Sequence, residues 1–85
     1  MLFQASVTVT RRPTILDPEG KAIEHALHEL GLNSLSQVRV GKRIDTRVEA
    51  ADEAEARAAL VESCRKLLAN PVMDDFVIEL TPVEA

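Results

Sequence analysis

The stretch LDPEGKAIEHALHELG, residues 16–31, spells a complete helix with its start, its buried face and its stop. Asp17 caps the first turn, because its carboxylate can accept an orphan backbone N–H, and Pro18 fits the first helical position, where no N–H is needed. Gly31 supplies the stop. Ile23, Leu27 and Leu30 recur at helical spacing with Ala22 and Ala26 beside them, so one stripe of the helix is expected to face a core. Glu24, His25, His28 and Glu29 fall on the opposite, solvated side. Gly20 in the first turn costs roughly 1 kcal/mol against Ala unless another backbone approaches closely, which marks the helix start as a contact surface.

Working outward, residues 2–10 alternate, with Phe3, Ala5, Val7 and Val9 on one side and Gln4, Ser6, Thr8 and Thr10 on the other, the pattern of a half-buried strand. Residues 11–16 connect it to the helix through Pro13. Past the turn signals Asn33 and Ser34, a second strand is expected over about 35–40 with Val38 and Val40 inward, then a tight reversal at Gly41 and Lys42. A third strand over about 43–50 sets Ile44, Thr46 and Val48 against Asp45, Arg47 and Glu49. Asp52 followed by Glu55 resembles a capping box and opens a second helix to about Ala69. Its expected buried stripe is Ala54, Ala58, Val61, Cys64 and Leu68, widened by Leu60 and Leu67. Asn70, tolerant of the left-handed conformation, and Pro71 end it. A last strand over about 74–81 turns Phe76, Ile78 and Leu80 inward, leaving residues 82–85 as a frayed tail of a single domain spanning 1–85 with an ordered core of about 2–81.

The order strand, helix, strand, strand, helix, strand defines an α+β, ferredoxin-like βαββαβ fold: a four-stranded antiparallel sheet with both helices on one face. The other sheet face is expected to display Gln4, Ser6, Thr8, Arg39, Arg47, Val77 and Glu79. A chain of 85 residues buries only about 60 to 65% of its unfolded surface. Its thin core gains by covering that face, which points to self-association.

Composition excludes several functions. A net charge of −4 with Phe3 and Phe76 as the only aromatics offers neither the basic surface nor the stacking platform of a nucleic-acid binder, and opposes attraction to an anionic membrane. No apolar run approaches the roughly 20 residues of a bilayer span, and the first residues run straight into an alternating pattern, so no signal segment is expected. The lone Cys64 has no internal disulfide partner, in keeping with a cytoplasmic protein. His25 and His28 lack a further Cys or His to complete a metal shell. Cys64, on an apolar stripe, reads as a packing residue rather than a nucleophile. Gly41, Lys42 and Arg43, with Arg39 and Arg47 nearby, form the one concentrated positive patch, suited either to a phosphate or acidic partner or to a solvated hairpin tip. Asp74 and Asp75 at a strand start read as guards against edge pairing.

Together, ILDPEGKAIEHALHELG (15–31), VRVGKRID (38–45), the Glu- and Ala-rich second helix and CRKLLANPVMDDFVIE (64–79) resemble the PurS subunit family of phosphoribosylformylglycinamidine synthase. The resemblance runs in the same order over nearly the whole chain. It implies a non-catalytic small subunit in de novo purine biosynthesis. Such a subunit bridges an ATP-dependent synthetase (PurL-type) and a glutaminase (PurQ-type) subunit and assists assembly and ammonia transfer. It implies homodimers and in some members tetramers, with no cofactor on this chain while the complex uses ATP, magnesium and glutamine. Arg11, Arg12 and Pro13 depart from the Lys-containing segment usual in the family, as Glu19 does from the usual Gln. Partner-contact positions are expected at Asp17, Pro18, Gly20, Arg39, Gly41, Lys42, Arg43, Asn70 and Pro71, none with a chemical step. The competing readings are a stand-alone dimeric module that binds a small regulatory molecule and a minimal enzyme using His25 or His28 as base.

Overall fold

A computed structural model describes residues 1–83; Glu84 and Ala85, the end of the expected tail, lie outside the described residues. Strand β1 (Leu2–Arg11) is followed by helix α1 (Pro18–Glu29), strand β2 (Gly41–Glu49), helix α2 (Glu53–Ser63), a π-helical turn (Cys64–Leu68) and strand β3 (Asp74–Pro82). The sheet is antiparallel in the order β2-β1-β3. Its register sets Val7 opposite both Ile44 and Ile78. Pro82, expected in the tail, pairs with Phe3 and belongs to β3.

The alternation of β1 is realised in full: Phe3, Ala5, Val7 and Val9 are buried. Phe76, Ile78 and Leu80 share their side half-buried. On the opposite face Gln4, Thr8, Arg47, Val77 and Glu79 are exposed. Helix α2 closes the inner side. Asp52 caps it by accepting the Glu55 N–H at 2.8 Å, and the buried side chains facing the sheet are Ala56, Leu60 and Cys64, four residues apart. Leu60, Cys64 and Leu68 of the expected stripe pack in the core, but Ala54 and Ala58 are exposed and Ala56 takes their place; in an Ala-rich helix the larger Leu60 and Cys64 decide which side packs. The π-turn then bonds the Ala69 N–H to the Cys64 carbonyl at 3.0 Å. One residue more per turn throws Leu67 outward to 82% exposure while Ala69 enters the core.

Two expectations fail together. Among the described residues the sheet has three strands, because residues 35–40 form no strand. Gln37 takes φ +54°, a left-handed value that interrupts any strand. The reversal expected at Gly41 and Lys42 is likewise absent, since both open β2. In addition only α2 covers the sheet. Helix α1 contributes nothing to either core cluster, and Gly20 is its one buried residue. Its stripe is left open: Ile23 is 40% and Leu30 is 76% exposed. The molecule measures 51 × 29 × 14 Å with a Cα radius of gyration of 16.5 Å. A compact chain of this length would have about 12 Å. The helix is an arm attached to the end of a small sheet.

The buried Cys64 thiol tests how firmly α2 is seated. Burial pushes its pKa up, and the thiolate is the reactive form. A thiol-specific disulfide reagent is expected to leave the native chain unlabelled and to label one thiol per chain in denaturant. Fast labelling in native buffer would show that the seam between α2 and the sheet opens freely.

Candidate functional site

The arm meets the sheet where β1 ends and where β2 and β3 begin, and here the chain concentrates its polar side chains. Asp17, 3% exposed, is the centre. Its Oδ1 accepts the Gly20 N–H at 3.0 Å, capping α1, and its Oδ2 accepts the Val40 N–H at 2.7 Å, just before β2. Pro18 fills the first helical position as expected. Gly20 packs so closely that a Cβ would run into the Val38 carbonyl oxygen and lie 2.8 Å from Asp17 Oδ2. At the far end Gly31, with φ +88°, donates to the His28 carbonyl while Leu32 donates to Leu27, both at 3.0 Å. This double bond pattern is the Schellman stop.

The segment expected to be a strand spends its hydrogen bonds on α1. The Val38 N–H donates to Glu24 Oε1 at 3.0 Å. His28 Nε2 lies 2.6 Å from the Leu35 carbonyl, so that nitrogen carries the proton. Glu24 and His28, expected in solvent, therefore face the returning chain. Arg39, expected on the open sheet face, instead sends Nη2 to the carbonyls of Arg12 and Ile15 at 2.9 and 2.8 Å.

The third part of the junction precedes β3. Asn70 stops the helix without a left-handed backbone, since Gln37 is the one described non-glycine with positive φ. Its Oδ1 accepts the Val72 and Met73 N–H groups at 2.9 and 3.3 Å, and its own N–H donates to Asp74 Oδ2 at 2.9 Å. Arg12 ties this loop to the β1 exit, bonding the Pro71 carbonyl at 2.8 Å and Asp75 Oδ1 at 3.3 Å. Thus Asp17, Pro18, Gly20, Arg39, Gly41, Lys42, Asn70 and Pro71 gather at one end of the sheet. Arg43 does not join them. It pairs with Asp45 at 3.0 Å on the open face, and Arg47 reaches Gln4 at 3.2 Å, so the expected positive patch is dispersed.

Glu24, Arg11, Arg12 and Asp75 belong to the junction without having been singled out for it. One signal for Glu24 was present: Asp17, Gly20 and Glu24 follow the same helical spacing as Leu27 and share its face. A cleft of about 740 Å³ is lined by Arg11, Lys21, Glu24, Arg39 and Asp75. Glu24 and Arg39 are already committed to backbone partners inside it, and among the described residues no group of three or more His, Cys, Asp or Glu could hold a metal. The arrangement spends these polar groups on holding chain segments together.

Replacing Gly20 by Ala forces its Cβ against Val38, whose own amide is held by Glu24. Gly20→Ala is expected to cost about 1–3 kcal/mol, read by urea unfolding, and to expose residues 31–40 to proteolysis. A variant as stable as the parent would show that the return segment moves freely. Asp17 also sets a pH dependence. The N–H groups of Val40 and Gly20, and then Arg39 and Arg11, hold its carboxyl below the ordinary 3.8. A depressed folded pKa gives stability that is present above the unfolded value and lost as pH falls below 3.8 through the folded one. Thermal melts from pH 5 to 2 should show a flatter acid limb for Asp17→Asn, with a lower melting temperature at pH 5.

Relatives are recognisable at both levels of comparison. The family model described as "PurS: Phosphoribosylformylglycinamidine (FGAM) synthase" matches residues 4–82. The phosphoribosylformylglycinamidine synthase subunit PurS of Synechocystis is 43% identical over 82 residues, 96% of this chain and 82% of that protein. The Bacillus subtilis subunit of the same name is 36% identical, covering 99% of both. Its crystal structure superposes with a TM-score of 0.86 over 94% of this chain and 99% of that one at 35% identity. A chain in a Thermotoga maritima structure described as PurLQS gives 0.86 over 95% and 99% at 31% identity. A family match over residues 4–82 and relatives of this identity, with solved structures that superpose at a TM-score of 0.86, place the chain in the PurS family.

Proposed function

We propose that this chain is the coupling subunit of its synthase: a homodimer, or a tetramer built from dimers, that joins a PurL-type synthetase to a PurQ-type glutaminase. In this reading it supports their assembly and the passage of ammonia between them. Membership of the PurS family makes it the small subunit of phosphoribosylformylglycinamidine synthase, a purine-biosynthetic ligase. ATP, magnesium and glutamine then serve the larger subunits in the cytoplasm. No described helix is long and apolar enough to cross a membrane.

The observation that carries the coupling role is the unfinished surface. Leu16, Leu30, Leu67, Val72 and Val77 are each 59% or more exposed, which leaves apolar side chains on several faces available to partner chains. Asp17 and Glu24 meanwhile brace the arm. The structural likeness to a chain of the PurLQS structure supports partners of that type.

The test is amidotransfer by the matching synthetase and glutaminase with and without this chain, with free ammonia as the control nitrogen source. Glutamine-dependent turnover should need the chain, and ammonia-dependent turnover should largely persist without it. Equal glutamine-dependent rates in its absence would end the coupling reading and favour the dimeric effector-binding module.

A further inference from the structure

The junction spends its carboxylates and leaves cationic donors over. Three cations from three parts of the chain line the cleft of about 740 Å³: Arg11 at the end of β1, Lys21 on α1 and Arg39 just before β2. Three carboxylates line it too, and each is engaged. Asp17 takes the N–H groups of Gly20 and Val40, Glu24 takes that of Val38, and Asp75 takes the Arg12 guanidinium. The cations are not matched in the same way. Among the described residues none of the three forms an ion pair. Arg39 spends Nη2 on the carbonyls of Arg12 and Ile15, which leaves Nε and Nη1. Arg11 Nη1 has only the Met73 sulfur at 3.9 Å, a weak acceptor. Arg39 and Arg11 act on Asp17, and Lys21 on Glu24, through charge at a distance.

We propose that this cleft binds a phosphate group, either the free anion or the monoester of a small molecule. Guanidinium and ammonium groups are the donors that phosphate takes most strongly. A tetrahedral dianion offers an oxygen to each of three cations at once, where a planar carboxylate has two oxygens in all. The volume falls among those of small-molecule sites, and with Lys21 and Arg39 exposed the cleft is open to entry. The whole chain carries −4, so attraction of an anion here is the local work of these three groups. A bound phosphate joins α1 to the end of β1 and to the return segment, adding charge to the hydrogen bonds by which Asp17 and Glu24 hold the arm. Occupancy thereby stabilises the arm in the direction it already takes.

The test is an NMR titration of the full, isotope-labelled chain with inorganic phosphate, with ribose phosphate and, at matched ionic strength, with sodium chloride. Saturable amide shifts at Lys21 and at residues 36–39 are expected with the phosphates and not with chloride. Lys21→Gln should weaken that binding about tenfold with unchanged circular dichroism, since the Lys21 side chain is exposed and forms no ion pair. Arg65→Gln, outside the cleft, should leave the binding as it was. Tighter binding of the ester assigns the site to a phosphorylated small molecule; binding of inorganic phosphate at least as tight assigns it to the free anion. Shifts that equal those in chloride, that fail to saturate, or that persist at full strength in Lys21→Gln overturn the site.

Discussion

Everything distinctive in this chain depends on one carboxylate serving two backbones. Asp17 caps its own helix through Gly20 and takes the Val40 N–H of a segment more than twenty residues later. Capping alone would leave α1 free to pivot about the connection from β1. The second bond fixes the helix base to the start of β2, and Glu24 repeats the device one helical stretch on. Burial makes the Asp17 tie strict: a nearly inaccessible carboxylate that lost its N–H donors would be an unsatisfied charge. The helix and the return segment consequently form one stiff arm, and the sheet must close without them.

That closure is incomplete. The main core comprises side chains of β1, α2 and the π-turn, with Ile44, Val48, Phe76, Ile78 and Leu80 only partly covered. Hydrophobic stabilisation scales with apolar area removed from water, and small chains have little to spare. An elongated chain that leaves leucines in solvent forgoes part of that gain as a monomer. Association can recover it, and so the same geometry that weakens the isolated chain equips it to hold other chains.

Local chemistry was the legible part of the sequence. Caps are written in one or two residues, and Asp17, Pro18, Gly31 and Asp52 act as their types require. The alternation of β1 was equally plain, because both neighbours bury the same face. The failures come where a backbone partner is chosen at long range. Val38 and Val40 obey a period of two, but their amides meet Glu24 and Asp17 rather than a strand, and nothing in a periodicity distinguishes a carboxylate partner from a ladder. Leu67 was misplaced because an α-helical period was carried through a π-turn, and an Ala-rich helix shows little contrast between its faces. At the junction, Arg12 and Arg39 bond mainly to carbonyl oxygens, which every residue type provides, so their partners leave no mark in the sequence.

The distribution of these features also separates two tasks within a small chain. The polar junction fixes the direction of the arm and consumes its carboxylates. The apolar surfaces on α1, around Leu67 and on β3 are left for contact. The proposed coupling role would use this division, since surfaces held at fixed mutual angles suit a subunit that joins other chains. Rigid placement of weakly covered surfaces favours specific assembly over loose aggregation: less ordering remains to be done when partners meet. The stiffness of the Asp17 junction is thus the physical link between a one-residue helix cap and a protein whose work is done in company.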